Sequence, residues 1–159
     1  MRIRSIRSLI YFAAGLGLIV AFFAAAEFFD AALSAVCSFN GVVSCSTVDD
    51  SGKTTTLGVQ DWIWGIVGFI AILVVATLAE QHKRDIRWSY ALLAVTSAGV
   101  ALAMYLLYVE LVEIGAICPV CVSAYTLGII AWVGAILLVQ KMTARARTRA
   151  DRAASEVAV

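Results

Sequence analysis

Four cysteines carry the clearest chemical signal in this sequence. Seven residues separate Cys37 from Cys45, and two separate Cys118 from Cys121. Two thiol pairs can exchange disulfides with each other or with another protein, and four thiolates can also bind a tetrahedral zinc ion. Zinc sites usually combine two short-spaced pairs, and the first spacing is too wide for that. The pattern therefore favours thiol–disulfide chemistry, and we predict no metal.

The second cysteine pair opens a predicted helix. Pro119 has a fixed φ and no N–H, so it suits the first position of a helix and would disrupt an interior. Cys118 is then expected at the helix cap, where free N–H groups and the helix dipole favour a thiolate. Cys121 follows one turn later and is expected to face the membrane. A C-x-x-C motif alone is shared by redox and metal sites.

The elements that hold these cysteines are predicted to be membrane helices. The chain has 159 residues, of which 62% are hydrophobic and 14% charged, with a mean hydropathy of +0.93. A soluble domain carries about 25% charged residues, so this composition excludes a soluble enzyme, a disordered chain and a nucleic-acid-binding module. Uncharged runs of about twenty residues fit helices that cross a bilayer. We predict an all-α, polytopic membrane protein that forms a four-transmembrane-helix bundle in the lipid bilayer.

The charge pattern predicts both the spans and their orientation. A single domain is expected, with spans at about 9–28, 62–79, 88–110 and 117–140, a loop at about 30–60 and a basic tail at 141–159. Eleven of the twelve Lys and Arg residues lie in the N-terminal segment, the middle loop and the tail. The positive-inside rule therefore places both termini in the cytoplasm and all four cysteines outside a plasma membrane, where disulfides persist. A signal peptide cleaved near Ala26 is the alternative for the first span, although its apolar stretch is longer than a signal core.

Two further expectations concern packing and the outer loop. Small residues should let the helices approach closely. They are Gly65, Gly68, Ala94, Ala98, Ala101, Ala124 and Gly128. Apolar and aromatic residues such as Leu57, Val59, Trp62 and Trp64 predict that the loop lies partly on the membrane surface and covers the site as a lid. A solvated linker is the alternative.

With C-x7-C after the first span and C-x-x-C opening the fourth, the chain resembles the vitamin K epoxide reductase family over roughly residues 9–139. The resemblance implies a four-helix membrane oxidoreductase that couples disulfide exchange to a quinone of the ubiquinone, menaquinone or vitamin K type. It implies that Tyr125 hydrogen-bonds the quinone and that Asp61 stands where animal members have an asparagine with the same role. It also places Ser51 near the quinone.

Asp61 departs from the asparagine of the animal enzymes. An ionised carboxylate only accepts hydrogen bonds, so Asp61 could donate to a quinone oxygen only when it is protonated. It could equally be an interfacial carboxylate at a helix N-terminus, stabilised by the helix dipole. The sequence leaves both interpretations open.

The resemblance also implies a relay of electrons. A thioredoxin-like protein, soluble or membrane-anchored, would reduce the first pair, with Cys37 as the thiol that faces this partner. Cys45 would pass the electrons to Cys118, and Cys121 would reduce the quinone. We expect a separate partner protein and a prokaryotic enzyme that generates disulfides. The alternatives are a vitamin K quinone or epoxide reductase working in the opposite metabolic context, and a non-enzymatic membrane scaffold with structural disulfides.

Overall fold

Four long helices dominate the structure, a computed structural model that describes residues 3–38, 42–51, 55–56, 58–82 and 85–157. In chain order the elements are α1 (Ile3–Phe29), α2 (Ala31–Val36), α3 (Cys45–Asp50), β1 (Thr55–Thr56), β2 (Val59–Gln60), α4 (Asp61–Gln81), α5 (Arg87–Tyr108), a π-helical turn (Val109–Ile114) and α6 (Pro119–Val157). The helices α1, α4, α6 and α5 with its π-helical turn are each long and apolar enough to cross a membrane. The predicted all-α, four-helix membrane fold is confirmed.

Some residues used in the sequence analysis lie outside the described part of the chain. They are Arg2, Lys53, Leu57, Lys83 and Arg84, together with residues 39–41 between the first two cysteines. The helix α6 continues through the segment predicted as a basic tail and ends at Val157.

The helices form a closed ring in which α1 packs against α4 and α6, and α5 packs against the same two helices. Among the largest fully buried side chains, Ile6, Ile10 and Leu92 lie in the early turns of α1 and α5, and Leu138 lies in the middle of α6. Because neighbouring helices are antiparallel, these residues lie in the half of the bundle that is remote from the cysteines. The other half is left with room for a cavity.

Two glycines outside the predicted set allow the closest helix approaches. A Cβ atom on Gly17 would overlap the ring of Phe69, and a Cβ on Gly134 would lie 2.7 Å from Cγ1 of Ile10. Such contacts explain why small residues are needed where membrane helices cross.

The predicted set of small residues gives a mixed result, and Gly65 does face a neighbouring helix, with the Cβ of Ala21 3.4 Å from where its own Cβ would stand. Ala94, Ala98 and Ala101 are exposed on the bundle surface, so the packing prediction is wrong for α5. Gly68 and Gly128 have open space where a Cβ would stand, within the described chain, and both line a cavity. These two glycines therefore leave space for the cavity and do not form close contacts between helices.

Candidate active site

The first two cysteines, here called the outer pair, are joined by a disulfide between α2 and α3. Cys37 is the C-cap residue of α2, and Cys45 is the first residue of α3. Ser44 caps α3, because its Oγ accepts the Thr47 N–H at 3.2 Å. A serine at this position satisfies one of the free N–H groups of the helix start. The local sequence thus fixes where Cys45 enters its helix.

A short parallel bridge joins the segment before Cys45 to the segment before Cys118. The Ile117 N–H donates to the Val42 carbonyl at 2.7 Å, and the Ser44 N–H donates to the Ile117 carbonyl at 3.1 Å. The bridge brings the Sγ atoms of Cys45 and Cys118 to a separation of 3.3 Å. The two side chains are 0% and 3% exposed. This sulfur–sulfur contact is therefore shielded from solvent.

The last two cysteines, here called the inner pair, occupy the start of α6. Pro119 is the first residue of the helix, as its restricted backbone predicts. The Sγ of Cys118 accepts the Cys121 N–H at 3.3 Å. This is the place where a serine or aspartate oxygen usually caps a helix. No disulfide joins Cys118 to Cys121.

Glu110 belongs to the site, although the sequence pattern marked it only as the last residue of the span predicted at about 88–110. Its side chain is 4% exposed. Oε2 accepts the Cys118 N–H at 3.1 Å, and Oε1 lies 2.7 Å from the hydroxyl oxygen of Tyr125. Its position in the sequence could have identified it, because an ionisable residue at the end of an apolar membrane run usually faces the protein interior and marks a functional site.

A π-helical turn follows α5 and contains Glu110. The turn ends at Gly115, whose φ of +72° is the left-handed conformation that glycine adopts without strain. The N–H groups of Gly115 and Ala116 both donate to the Glu110 carbonyl, at 2.9 and 3.2 Å. The chain reverses here directly before Cys118. Single π-helical turns within α-helices are frequent at functional sites.

A cavity of about 150 Å³ lies beside the inner pair, between α1, α4, α5 and α6. Its walls are mainly apolar and aromatic, and its polar lining includes Asp61, Glu110, Cys121 and Tyr125. An apolar cavity of roughly this size accepts a benzene ring. Cys121 faces the cavity, whereas Cys118 contacts Cys45 and does not belong to the lining. The two thiols of the inner pair thus face different surroundings.

Asp61 reaches the cavity from the first turn of α4 and is also tied to the β1–β2 hairpin. Its Oδ1 accepts the Thr56 hydroxyl at 2.8 Å, and Trp64 Nε1 donates to the Thr56 carbonyl at 3.1 Å. These bonds hold the hairpin against the start of α4. Asp61 therefore lines the cavity and anchors the segment that precedes it.

Trp62, the next residue, lines the cavity and also belongs to an aromatic cluster. Its ring lies 6.3 Å from the ring of Phe28 and 5.8 Å from that of Phe29. Trp62 Nε1 and Gln60 Oε1 are buried, belong to cavity-lining residues and have no hydrogen-bond partner in the described chain. Buried polar atoms normally have a partner, and a ligand or an ordered water can supply it.

Ser51 is not brought to the cavity. It is the C-cap residue of α3, and its Oγ donates to the Val48 carbonyl at 2.6 Å. Among the described residues, the cavity lining includes Val48 and not Ser51. The predicted role of Ser51 near the quinone stays a prediction.

The outer pair has a buried carboxylate of its own. Glu27, near the end of α1, is 3% exposed. One of its oxygens and the Sγ atoms of Cys37 and Cys45 all lie within 4.8 Å of one another. Thiolates bind metal ions, and sulfurs joined in a disulfide are not thiolates. When the disulfide is opened, the Glu27 carboxylate is close enough to exchange a proton with the thiols that form.

The cysteine-bearing part of the chain matches one protein family. The model of the vitamin K epoxide reductase family matches residues 8–136, a range that contains all four cysteines and the cavity. Among curated proteins, none matches the chain.

Proposed function

We propose that this chain, which belongs to the vitamin K epoxide reductase family, oxidises the thiols of a thioredoxin-like protein and passes the electrons to a membrane quinone. Family membership makes it a multi-pass membrane thiol–disulfide oxidoreductase, and quinones are the co-substrates of the family. In the proposed reaction the two partner thiols lose two electrons and two protons and form a disulfide. The quinone takes up the same electrons and protons and becomes a quinol.

The observation that carries the proposal is the 3.3 Å separation between the sulfurs of Cys45 and Cys118. Disulfide exchange requires a thiolate to approach a disulfide sulfur directly. Cys45 is part of a disulfide, and Cys118 is the cysteine that contacts it. Cys121 follows at the cavity. The four cysteines thus form a path from the outer loop to the interior of the bundle.

Exposure supports the entry of electrons at Cys37. This residue is 8% exposed, whereas Cys45 is fully buried. A partner thiolate attacks Cys37 and releases Cys45, and the second partner thiol then frees Cys37 as the partner disulfide forms. Cys45 attacks Cys118 of an oxidised inner pair, which releases Cys121. Attack by Cys37 on Cys45 restores the outer disulfide and leaves the inner pair reduced.

The cavity supports a quinone as the electron acceptor. Cys121 shares the lining with Tyr125 and Asp61, and the apolar walls and volume fit one ring. Trp62 Nε1 and Gln60 Oε1 offer a donor and an acceptor that lack partners in the described chain. Ubiquinone, menaquinone and vitamin K share a ring with two carbonyl oxygens, and the proposal covers this class.

The same proposal includes a single domain in the plasma membrane, with both termini cytoplasmic and the cysteines extracytoplasmic. Arg4 and Arg7 lie in the first turns of α1, Arg87 starts α5, and further arginines follow in the last turns of α6. Antiparallel packing puts these positions at the end of the bundle opposite the cysteines. Basic residues favour the cytoplasmic face, and disulfides form on the other face.

Quinone reduction by the purified protein in lipid nanodiscs tests the proposal. With a reduced thioredoxin-like protein, the parent should lower the quinone absorbance, and Cys121→Ser should abolish this activity. Ser123→Ala is the matched control, because Ser123 is exposed on the same helix and outside the cavity lining. A parent protein that exchanges disulfides with the partner and reduces none of the three quinone types would overturn the proposal.

A further inference from the structure

One carboxylate connects the two sides of the inner pair. Glu110 is buried, and its two oxygens have different partners: Oε2 accepts the backbone N–H of Cys118, and Oε1 accepts the hydroxyl of Tyr125. Cys118 faces the outer pair, whereas Tyr125 lines the cavity. Glu110 thus contacts both the cysteine that faces the outer pair and the tyrosine that lines the cavity.

The protonation state of Glu110 decides whether the Tyr125 hydroxyl can donate a hydrogen bond to a ligand in the cavity. A tyrosine hydroxyl has one proton, and an ionised carboxylate only accepts hydrogen bonds. When Glu110 is ionised, Tyr125 therefore donates to Glu110 and presents only lone pairs to the cavity. A quinone carbonyl is also an acceptor, so it gains no hydrogen bond from this arrangement. A quinol hydroxyl is a donor, so it can donate a hydrogen bond to the Tyr125 oxygen.

A protonated Glu110 reverses this arrangement. The carboxyl O–H at Oε1 donates to the Tyr125 oxygen, and the hydroxyl proton of Tyr125 is directed into the cavity. Oε2 still accepts the Cys118 N–H, so the change needs no movement of the backbone. The 2.7 Å separation fits an O–H···O hydrogen bond in either direction.

We propose that Glu110 is the positioning residue that supplies a proton through Tyr125 to the quinone oxygen. The inference rests on the proposed function and deepens it. Protonated Glu110 directs the Tyr125 hydroxyl at the quinone carbonyl. During reduction Tyr125 gives its proton to that oxygen and takes one from Glu110, after which Tyr125 accepts a hydrogen bond from the quinol.

The step balances in protons and electrons. The thiols of Cys118 and Cys121 lose two electrons and two protons as their disulfide forms, and the quinone gains two of each. One thiol proton restores Glu110, and the other reaches the second quinol oxygen. Once Glu110 is protonated again, Tyr125 turns its own proton toward the quinol and no longer accepts from it, which favours release.

Glu110→Gln separates proton supply from binding. The glutamine N–H can donate to the Tyr125 oxygen, and its carbonyl can accept the Cys118 N–H, so Tyr125 still points its proton at the cavity. We expect the KM for quinone to stay within about threefold of the parent and kcat to fall roughly 10²-fold, the usual effect of losing a general acid. Glu113→Gln is the matched control, because Glu113 is exposed in the same π-helical turn. It should retain the parent kcat and KM.

Infrared difference spectroscopy supplies a readout that is independent of turnover. Addition of quinone to the reduced parent should change the C=O stretching band of a protonated carboxyl group. The change should persist in Glu113→Gln and be absent in Glu110→Gln. A Glu110→Gln enzyme with the parent kcat, one with a raised KM and unchanged kcat, or a carboxyl band that survives the substitution would overturn the inference.

Two controls keep this test decisive. If Glu110→Gln folds poorly, the parent is compared with Tyr125→Phe, in which the carboxyl band should no longer respond to quinone; an unchanged response overturns the inference. A parent that reduces no quinone refutes the proposed function itself. A parent that reduces quinone as fast as Glu110→Gln refutes only the role of Glu110.

Discussion

The outer and inner cysteine pairs are held in different ways, although each lies beside a buried carboxylate at the end of a membrane helix. The outer pair sits on two short helices and is joined by a disulfide. The inner pair starts the long helix α6, where the first sulfur accepts a backbone N–H. Glu27 lies near both outer sulfurs, whereas Glu110 binds the backbone of Cys118 and the hydroxyl of Tyr125.

Under the proposed function, the two carboxylates handle different protons. A carboxylate near sulfur can exchange protons with the thiols that disulfide exchange releases. A carboxylate behind a cavity-lining hydroxyl can supply a proton to a bound substrate. The outer pair lies on two short helices, whereas the inner pair lies at the start of a long helix beside a mainly apolar cavity.

Loss of the entry thiol should have the largest effect that distinguishes the pairs. In Cys37→Ser, turnover with a thioredoxin-like reductant should fall to the background rate, because no outer disulfide can form. A small membrane-permeant dithiol should still support quinone reduction by reducing the inner pair directly. Quinone absorbance measured with each reductant checks this prediction. Equal loss with both reductants would show that the pairs do not work separately.

Neutralising the outer carboxylate should have the next largest effect. Glu27→Gln removes the group that exchanges protons with the outer thiols, so transfer from the protein reductant should slow roughly 10²-fold. Stopped-flow measurement of partner oxidation checks the rate, and turnover with the small dithiol should be unchanged. Asp30→Asn is the control, because Asp30 is exposed nearby and asparagine caps α2 equally well. A parent-like rate in Glu27→Gln would rule out this role.

Filling the cavity should weaken quinone binding beside the inner pair and leave the outer pair unchanged. The effect should be smaller than those of Cys37→Ser and Glu27→Gln. Gly128→Val places a side chain in open space that the cavity uses, so the KM for quinone should rise about 10-fold. Exchange with the protein partner should keep its parent rate. Gly15→Val is the matched control, because a Cβ on Gly15 would also meet open space within the described chain, and Gly15 lies outside the cavity lining. An unchanged KM would place the quinone elsewhere.

The smallest effect should come from the cap of α3. Ser44→Ala removes the side-chain oxygen that accepts the Thr47 N–H, which should cost about 1 kcal/mol of local stability. Amide exchange within α3 should accelerate, while exchange in α6 should not change. In Ser123→Ala, the control, neither segment should respond. Protection of α3 equal to that of the parent would show that the cap adds nothing to the hold of the bridge to Ile117 and the Cys37–Cys45 disulfide.

Much of the helical frame could be predicted from sequence, because charge and proline are local signals. The uncharged runs predicted four membrane helices, and Pro119 predicted the start of α6. The contact between Cys45 and Cys118 could not be predicted in the same way. It depends on a bridge between segments more than seventy residues apart, and no local pattern specifies that pairing.

Other features were missed because apolar composition hides which side of a membrane helix faces the protein. Ala98 is exposed, and Gly17 packs against Phe69, yet both lie in continuous apolar runs. Lipid and helix neighbours favour similar side chains, so the pattern cannot separate them. Glu110 lies four residues after Leu106, so regular helical spacing puts both on the inward face of α5. The continuous apolar run does not show which face that is, so the sequence alone did not single out Glu110.

The disulfide map of Cys121→Ser, read by mass spectrometry after digestion without reductant, tests most directly whether the two pairs form one relay. In this variant the Cys118 thiolate can attack Cys45 and release Cys37, a rearrangement that needs no added oxidant. The predicted result is a Cys45–Cys118 disulfide with Cys37 as a free thiol, and Cys118→Ser should instead retain Cys37–Cys45. A Cys121→Ser protein that holds only the Cys37–Cys45 disulfide, or one that joins Cys37 to Cys118, would contradict the relay.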